Sequence, residues 1–168
     1  VGGTFTIPTQ FNFLASYDGT QWDSLCTNTD YRSTSHAVHA LWVYKNKLYV
    51  GGDFSQVDGF QLNANRIATW DGSAWAALGT GLTGNSAGCY AMTVWDDKLV
   101  FGGRFTAADG VACDKVAFWN GSAFTSPNTG SNVVSSGRLS CLYGYEDKLF
   151  PGGDYSSVGG NLMTGLSV

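Results

Sequence analysis

Hydrophobic and polar positions along this chain alternate in short runs, each closed by glycine or by a pair of polar residues. The apolar run 40–44 is followed by Lys45-Asn46 and then by a second apolar run that ends in a glycine pair. The run 66–70 ends in Asp71-Gly72, a dipeptide typical of two-residue hairpin turns. No segment has a helix-start signal followed by a long face of 3.6-residue period. The pattern predicts an all-β chain of antiparallel hairpins.

The same strand pattern recurs with a period of about 50 residues. Each period has a glycine pair with an aromatic residue two positions after it, and Lys-Leu precedes the last three pairs. In the first three periods an aromatic-Asp-Gly or aromatic-Asn-Gly turn follows, and then another aromatic residue. The pairs are Gly2-Gly3, Gly51-Gly52, Gly102-Gly103 and Gly152-Gly153, the aromatic residues after them are Phe5, Phe54, Phe105 and Tyr155, and the aromatic residues after the turns are Trp22, Trp75 and Phe124. We therefore divide the chain into four repeats, at 1–38, 39–88, 89–138 and 139–168, of which the first and last are incomplete.

Each complete repeat is expected to form one four-stranded antiparallel sheet. Such a sheet cannot bury both of its faces alone, so the repeats must stack on one another, as the blades of a β-propeller do. Glycine inside a strand is favourable where another backbone or a large ring approaches closely, which fits the glycine pairs. The alternative is a two-sheet sandwich in which the glycine spacing is accidental.

The order of glycine pair, aromatic turn and Trp at this period resembles the kelch repeat and the repeats of galactose-oxidase-like propellers. The resemblance covers nearly the whole chain and departs from the pattern at Phe124, which stands where the other repeats have Trp. It implies kelch-like blades, about 3.4 of them, in a single partial ring over residues 1–168. It does not imply one function, because such propellers include adaptors, enzymes and surface proteins.

The strand count bears on how the ring would close. Propellers have about four to eight blades, so a chain with about 3.4 repeats is expected to be a piece of a longer polypeptide. The alternative is a ring closed by two copies. A head-to-tail junction of two copies would lack a fourth and a first strand, which disfavours this second arrangement.

Composition excludes several classes of protein. Charged residues make up 13% of the chain and aromatic residues 14%, which is unlike a disordered segment. The formal net charge is −4, whereas nucleic-acid binding requires a basic surface. No apolar run approaches the roughly 18 residues of a membrane-spanning helix, so no membrane insertion is expected.

The longest loops, at 26–37, 79–88 and 127–138, are expected to share one face with the loops 55–65 and 106–114. Binding residues concentrate on long loops that a rigid scaffold holds. The most varied polar set on this face consists of Tyr31, Arg32, His36 and Arg138, which we take as candidate binding residues. The alternative is that they are ordinary solvated loop residues.

Evidence for catalysis is weak in this sequence. His36 and His39 are the only histidines, and their spacing matches no metal motif. They cannot be aligned residue by residue with the copper site of galactose oxidase. No Gly-x-Ser-x-Gly nucleophile elbow occurs. We therefore assign no catalytic residue, no metal and no cofactor.

Two features bear on the cellular compartment. Cys26, Cys89, Cys113 and Cys141 have no C-x-x-C spacing and allow three disulfide connectivities, among which we favour Cys89 with Cys113. The alternative is that they are free thiols acting as small buried hydrophobes. Asn120-Gly121-Ser122 is an N-glycosylation sequon, although Asn120 is also the counterpart of Asp18 and Asp71 in a family of turns.

These observations together favour a non-enzymatic extracellular or cell-surface β-propeller that acts in protein–protein interaction or structural assembly. Its partner would be another protein, or further blades or copies of itself. The alternatives are a glycan-binding propeller, a fragment of a galactose-oxidase-like or other propeller enzyme, and, for location, a cytoplasmic kelch-type adaptor.

Overall fold

The computed structural model of the chain describes residues 2–7, 11–27, 33–127, 137–155, 157–158 and 161–162. Over these residues the chain forms strands and no helix, and every strand pairing is antiparallel. The prediction of an all-β chain is confirmed. The chain divides into two compact units, unit 1 at Val1–Gly81 and unit 2 at Leu82–Val168.

Unit 1 contains one four-stranded sheet and several hairpins. Its strands are β1 (Gly2–Ile7), β2 (Phe11–Leu14), β3 (Ser16–Tyr17), β4 (Trp22–Asp23), β5 (Val38–Tyr44), β6 (Lys47–Gly52), β7 (Gln56–Val57), β8 (Leu62–Asn63), β9 (Ile67–Trp70) and β10 (Trp75–Ala77). The sheet has the order β5-β6-β9-β10, so that each strand pairs with the next long strand along the chain. The strand pairs β1-β2, β3-β4 and β7-β8 form separate two-stranded sheets.

Unit 2 repeats this arrangement. Its strands are β11 (Leu82–Thr83), β12 (Gly88–Trp95), β13 (Lys98–Arg104), β14 (Ala107–Ala108), β15 (Val111–Ala112), β16 (Val116–Trp119), β17 (Phe124–Thr125), β18 (Leu139–Tyr145), β19 (Lys148–Gly153), β20 (Ser157–Val158) and β21 (Asn161–Leu162). Its four-stranded sheet has the order β12-β13-β16-β17, and β18-β19 begins a further sheet. The two complete repeats therefore form the two four-stranded sheets that the sequence predicts.

The connections differ in two respects from the expectation. The Asp-Gly turn is longer than predicted: Trp70 pairs with Trp75, so four residues rather than two join β9 to β10. The loop after each glycine pair also forms a small hairpin that the sequence pattern does not indicate, namely β7-β8, β14-β15 and β20-β21. Strands of two residues are too short to show alternation of polar and apolar positions.

The core of unit 1 gathers around the aromatic residue that follows the glycine pair. Phe54 is fully buried, in a cluster with Val38, Val50 and Trp75 among others. The Trp75 indole N–H donates a hydrogen bond to the carbonyl of Leu25. The fourth-strand aromatic residue therefore ties the sheet to the segment that precedes it.

The core of unit 2 shows how two neighbouring sheets stack. Val100 and Val116 of the four-stranded sheet pack in one cluster with Leu139 and Leu142 of β18. A β-carbon placed on Gly102 would lie 2.5 Å from Leu139 Cδ2 and 2.6 Å from Leu142 Cδ1. The first glycine of the pair therefore leaves room for the aliphatic side chains of the next sheet.

Unit 1 repeats this contact with the same geometry. A β-carbon on Gly2 would lie 2.5 Å from Val38 Cγ1, and Val38 occupies the repeat position of Leu139. Two independent examples thus show the first strand of one sheet seated on the first glycine of the preceding repeat.

The second glycine of each pair is required for a different reason. A β-carbon on Gly52, Gly103 or Gly153 would overlap the backbone carbonyl oxygen of Ala37, Gly88 or Arg138, respectively. In all three sheets the register of the first strand also shifts just after this carbonyl, which indicates a β-bulge at the same repeat position. The bulge and the glycine together bring the two backbones unusually close.

We expect replacement of the second glycine to be far more costly than replacement of a glycine in open space. Gly103→Ala pushes a methyl group into the Gly88 carbonyl, and neither backbone can move freely, so the free energy of unfolding should fall by about 3 kcal/mol or more. Gly110→Ala is the control, because a β-carbon there meets nothing within 4 Å and only its φ of +79° is strained; it should cost about 1 kcal/mol. Urea denaturation of both variants measures the difference. Equal losses would show that close approach at Gly103 does not constrain the sheet.

Candidate functional site

In unit 2 the loop between β13 and β16 is held on both sides by backbone hydrogen bonds. The Thr106 N–H donates to the Thr83 carbonyl at 2.8 Å, and β14 pairs with β11. The Lys115 N–H donates to the Phe105 carbonyl at 3.0 Å, with Phe105 itself buried to 2% exposure. Residues 104–106 and Lys115 are therefore fixed relative to one another by the backbone.

A pocket of about 380 Å³ opens at this end of the sheet. Its wall is formed by Arg104, Phe105, Thr106 and Lys115 on one side, and Gly137, just before β18, contributes to the rim. Gly84 and Asn85 complete the lining. The volume lies within the range of about 300–1,000 Å³ that is usual for small-ligand sites.

The charged groups lining this pocket are both cations. Arg104 is exposed, and in the described part of the chain no carboxylate pairs with it. Lys115 is 9% exposed as a residue. Arg104 and Lys115 therefore give the lining at this end of the sheet a positive charge.

At the corresponding position in unit 1, the charged side chains bond to other groups of the same unit. Arg66 has the repeat position of Lys115, and its Nη1 donates to the carbonyls of Asp53 and Phe54 at 2.9 and 3.0 Å. Asp53 has the repeat position of Arg104, and its Oδ2 lies 2.8 Å from His39 Nε2. The cationic pocket is therefore a property of unit 2 and not of every repeat.

Of the four candidate binding residues predicted from the sequence, the structure describes two, one in each unit. Tyr31 and Arg32 lie outside the described residues. His36 is exposed in unit 1, where its Nδ1 lies 3.4 Å from Ser35 Oγ. Arg138 belongs to unit 2, so His36 and Arg138 are described separately and their joint role stays a prediction.

Arg138 lies beside the pocket, next to Gly137, and is engaged by its own unit. Its guanidinium carbon is 5.5 Å from the centroid of the Tyr90 ring, and its Nε is 3.7 Å from Asp154 Oδ1. The same Asp154 oxygen accepts the Arg138 backbone N–H at 3.0 Å. Arg138 thus interacts within its own unit, with Tyr90 and Asp154, while Arg104 and Lys115 are the charged residues of the pocket lining.

The predicted disulfide between Cys89 and Cys113 is absent from the structure, in which none of the four cysteines forms a disulfide. Cys89 is fully buried, and its Sγ lies 3.9 Å from the Ala91 carbonyl oxygen. Burial raises the pKa of the Cys113 thiol to about 11, so it remains protonated at neutral pH. Both residues are buried, at 0% exposure for Cys89 and 4% for Cys113, as expected of small hydrophobic side chains.

Asn120 has the same turn geometry as Asp18 and Asp71. Its Oδ1 accepts hydrogen bonds from Ser122 N and Ser122 Oγ at 2.8 and 2.9 Å, and from Ala123 N at 2.9 Å. Asp71 Oδ1 makes the equivalent three bonds to Ser73 and Ala74. The turn is exposed, so it serves as a structural turn and also presents the sequon at the surface.

Within the described residues, no group of three or more His, Cys, Asp or Glu side chains is arranged to hold a metal ion. The part of the chain that the structure describes also has no helix long and apolar enough to cross a membrane.

In comparisons with known proteins, no family model, curated protein or solved structure matches this chain. The kelch-like resemblance therefore stays a prediction, and functional reasoning rests on the residues themselves.

The sequence does contain a signal for the pocket. The residue after the glycine pair is Asp53 in one repeat, Asp154 in another and Arg104 between them. This reversal of charge at one repeat position distinguishes the repeat 89–138 from the repeats on either side of it.

The turn family leads to a prediction about pH. Hydrogen bonds from backbone N–H groups, Ala74 first, lower the pKa of Asp71 below its ordinary value of 3.8. The turn therefore contributes its full stability above that value and loses it as the pH falls through the lower pKa of the folded state. The Ser73 amide resonance should shift with this acidic midpoint in an NMR titration.

Asn120 provides the internal control for this titration, because an amide does not ionise. The Ser122 amide resonance should stay constant over the same range, and Asp71→Asn should abolish the shift at Ser73. A Ser73 shift that persists in Asp71→Asn would contradict the assignment.

Proposed function

We propose that this chain forms blades of an extracellular or cell-surface β-propeller and acts in protein–protein interaction or structural assembly rather than in catalysis. The two examples of sheet stacking, at Gly2 and at Gly102, support the blade arrangement. Free thiols are equally compatible with a cytoplasmic adaptor, so the location rests on the low charge, the polar loops and the exposed sequon.

The observation that carries the proposal is an uncovered sheet face in unit 2. Thr93 pairs with Val100 across β12 and β13, and this pair is 4% and 0% exposed. The corresponding pair across β18 and β19 is Tyr143 with Phe150, which are 64% and 48% exposed. Tyr145 on the same strand is 57% exposed. Contiguous exposed aromatic surface of this kind is typical of an interaction site.

The covered face indicates what would occupy the uncovered one. Leu139 and Leu142 of β18 pack with Val100, and their side chains occupy the space that a side chain at Gly102 would need. Gly152 has the repeat position of Gly102 and lies on the strand that carries Phe150. We infer that the face of Tyr143 and Phe150 receives another sheet of this repeat, through aliphatic side chains of its first strand.

This arrangement predicts self-association of the isolated chain through that face. Light scattering on a size-exclusion column should show a mass that rises with protein concentration. Tyr143→Lys and Phe150→Lys should each shift the protein towards the monomer, because an ammonium group cannot be buried unpaired against apolar side chains.

Asp147→Lys is the matched control, since it makes a larger charge change at an exposed turn of the same sheet but off this face. It should leave the association unchanged. A wild-type chain that stays monomeric at high concentration, or an equal effect of all three variants, would contradict the assembly role.

The proposed location has a separate test at Asn120. In protein isolated from its source, the peptide that contains Asn120 should lose mass on treatment with an N-glycosidase, and the asparagine should become aspartate. A fully unmodified Asn120 would favour the cytoplasmic adaptor instead. Asn120→Asp removes the acceptor and keeps the turn, because Asp occupies the equivalent position in the sister turns.

A further inference from the structure

We propose that the edge of β1 that faces away from β2 accepts an extended strand from another polypeptide, one with the residue pattern of the first strands of this repeat. The inference rests on the proposed role in assembly and adds a second site to it, in unit 1. It does not depend on the uncovered face of β18 and β19, which belongs to unit 2.

The strand that carries the glycine pair has a neighbour on both edges in each complete repeat. β6 lies between β5 and β9, and β13 lies between β12 and β16. Gly102, for example, is paired with Ala91 on one edge and with Val116 on the other. The first strand of the repeat therefore occupies one edge of the glycine-bearing strand, and the third strand occupies the other.

In the first repeat, only one of these two edges is occupied by a described strand. Gly2 is the counterpart of Gly102, and it is paired with Leu14 where β1 meets β2. Among the described strands, none pairs with the opposite edge of β1, which corresponds to the edge of β13 that β12 occupies. An unpaired strand edge is a template on which an extended segment can add main-chain hydrogen bonds.

The next sheet of unit 1 leaves uncovered the surface that such a strand would contact. In unit 2, β18 packs against both β12 and β13. A β-carbon on Gly144 of β18 would lie 2.7 Å from the Val94 carbonyl oxygen and 3.3 Å from Trp95 Cβ, both in β12. In unit 1, β5 packs against β1, and Val43, at the repeat position of Gly144, is 68% exposed. A first strand added to β1 would therefore cover Val43 as β12 covers position 144.

The three described first strands indicate the chemistry of the strand that would be added. The residue paired with the first glycine is Ala40, Ala91 or Cys141, each of which is small. A β-bulge precedes this residue in all three strands, and an apolar residue follows it. The edge of β1 therefore suits an extended segment with a small residue just after a bulge and an apolar residue beside it.

The probe is a fluorescent peptide with the sequence of residues 88–97, which contains the whole of β12. The control peptide carries Met92→Pro and Thr93→Pro. Because adjacent N–H groups of a strand point to opposite edges, one of the two prolines removes a donor from the new ladder. Fluorescence anisotropy with the full chain, under reducing conditions, should show saturable binding of the first peptide alone. Equal binding of both peptides, or binding of neither, would overturn the proposal.

Hydrogen exchange identifies the edge that the peptide occupies. Amide exchange in the segment 2–7 should slow when the peptide is added, because its main-chain groups become hydrogen-bonded. Peptide binding without added protection of this segment would place the peptide elsewhere and overturn the assignment.

Gly3→Ala is the decisive variant. Gly3 has the repeat position of Gly103, where a β-carbon would overlap the carbonyl oxygen of Gly88 in the first strand. With no first strand on the edge of β1, the added methyl group should leave the urea midpoint of the free chain unchanged and yet block the peptide. Wild-type binding by Gly3→Ala would overturn the proposal. A loss of stability equal to that of Gly103→Ala would overturn it too, because the edge would then already be occupied.

Two substitutions in the next sheet of unit 1 test the contact with β5. Val43→Lys places an ammonium group beneath the added strand and should weaken peptide binding about tenfold or more, because an unpaired charge is costly to bury. Ala76→Lys is the matched control, since Ala76 is exposed on β10, at the far edge of the same sheet. It should bind the peptide as the wild type does. An equal effect of the two variants would contradict the proposed contact.

Tyr143→Lys separates this site from the uncovered face of unit 2. It should reduce self-association and leave peptide binding unchanged, whereas loss of peptide binding would show that the peptide occupies that face and would overturn the assignment to β1. If the peptide fails to bind while the chain still self-associates through Tyr143 and Phe150, only this inference falls and the proposed function stands.

Discussion

The close approach of a backbone carbonyl to the second glycine of each pair is the constraint on which the rest of the structure depends. Three times along the chain, at Gly52, Gly103 and Gly153, the space that a side chain would fill is taken by the carbonyl that precedes a β-bulge. The residue after the glycine then bonds back to the same carbonyl in two of them, at 2.9 Å for Asp53 and 3.2 Å for Asp154. The contact fixes the end of each of these three sheets and the positions from which the next side chains project.

Much of the fold could be predicted from the sequence because its determinants are local and repeated. The glycine pairs and polar turns mark the ends of strands, and the turn residues Lys45 and Asn46 adopt the positive φ that a tight hairpin requires. The length of the Asp71 turn was not predictable from the dipeptide, because the carboxylate bonds to two following N–H groups and stabilises a longer loop. The sequence analysis did not predict the small hairpins after the glycine pairs, because their two-residue strands are too short to show alternating polar and apolar positions.

The candidate site was harder to predict, because it depends on which loops meet in space. Composition identified Arg138 as a polar loop residue, yet its guanidinium lies over Tyr90 and beside Asp154. The even number of cysteines was consistent with disulfides and with thiols, and the structure contains no disulfide among the four. The sequence analysis did not single out Arg104, because its position beside Thr106 and Lys115 depends on which segments meet in the fold.

Position 104 and its counterparts have a consequence for how such a protein diversifies. The side chain there projects from a frame that is built entirely by backbone groups and by the neighbouring glycine, so Asp, Arg and Asp occupy it in successive repeats without altering the sheet. The residue at this position can therefore change in one repeat while the other repeats keep theirs. Because the backbone contacts do not depend on this side chain, the position is suitable for combinatorial libraries in which the residue is varied separately in each repeat.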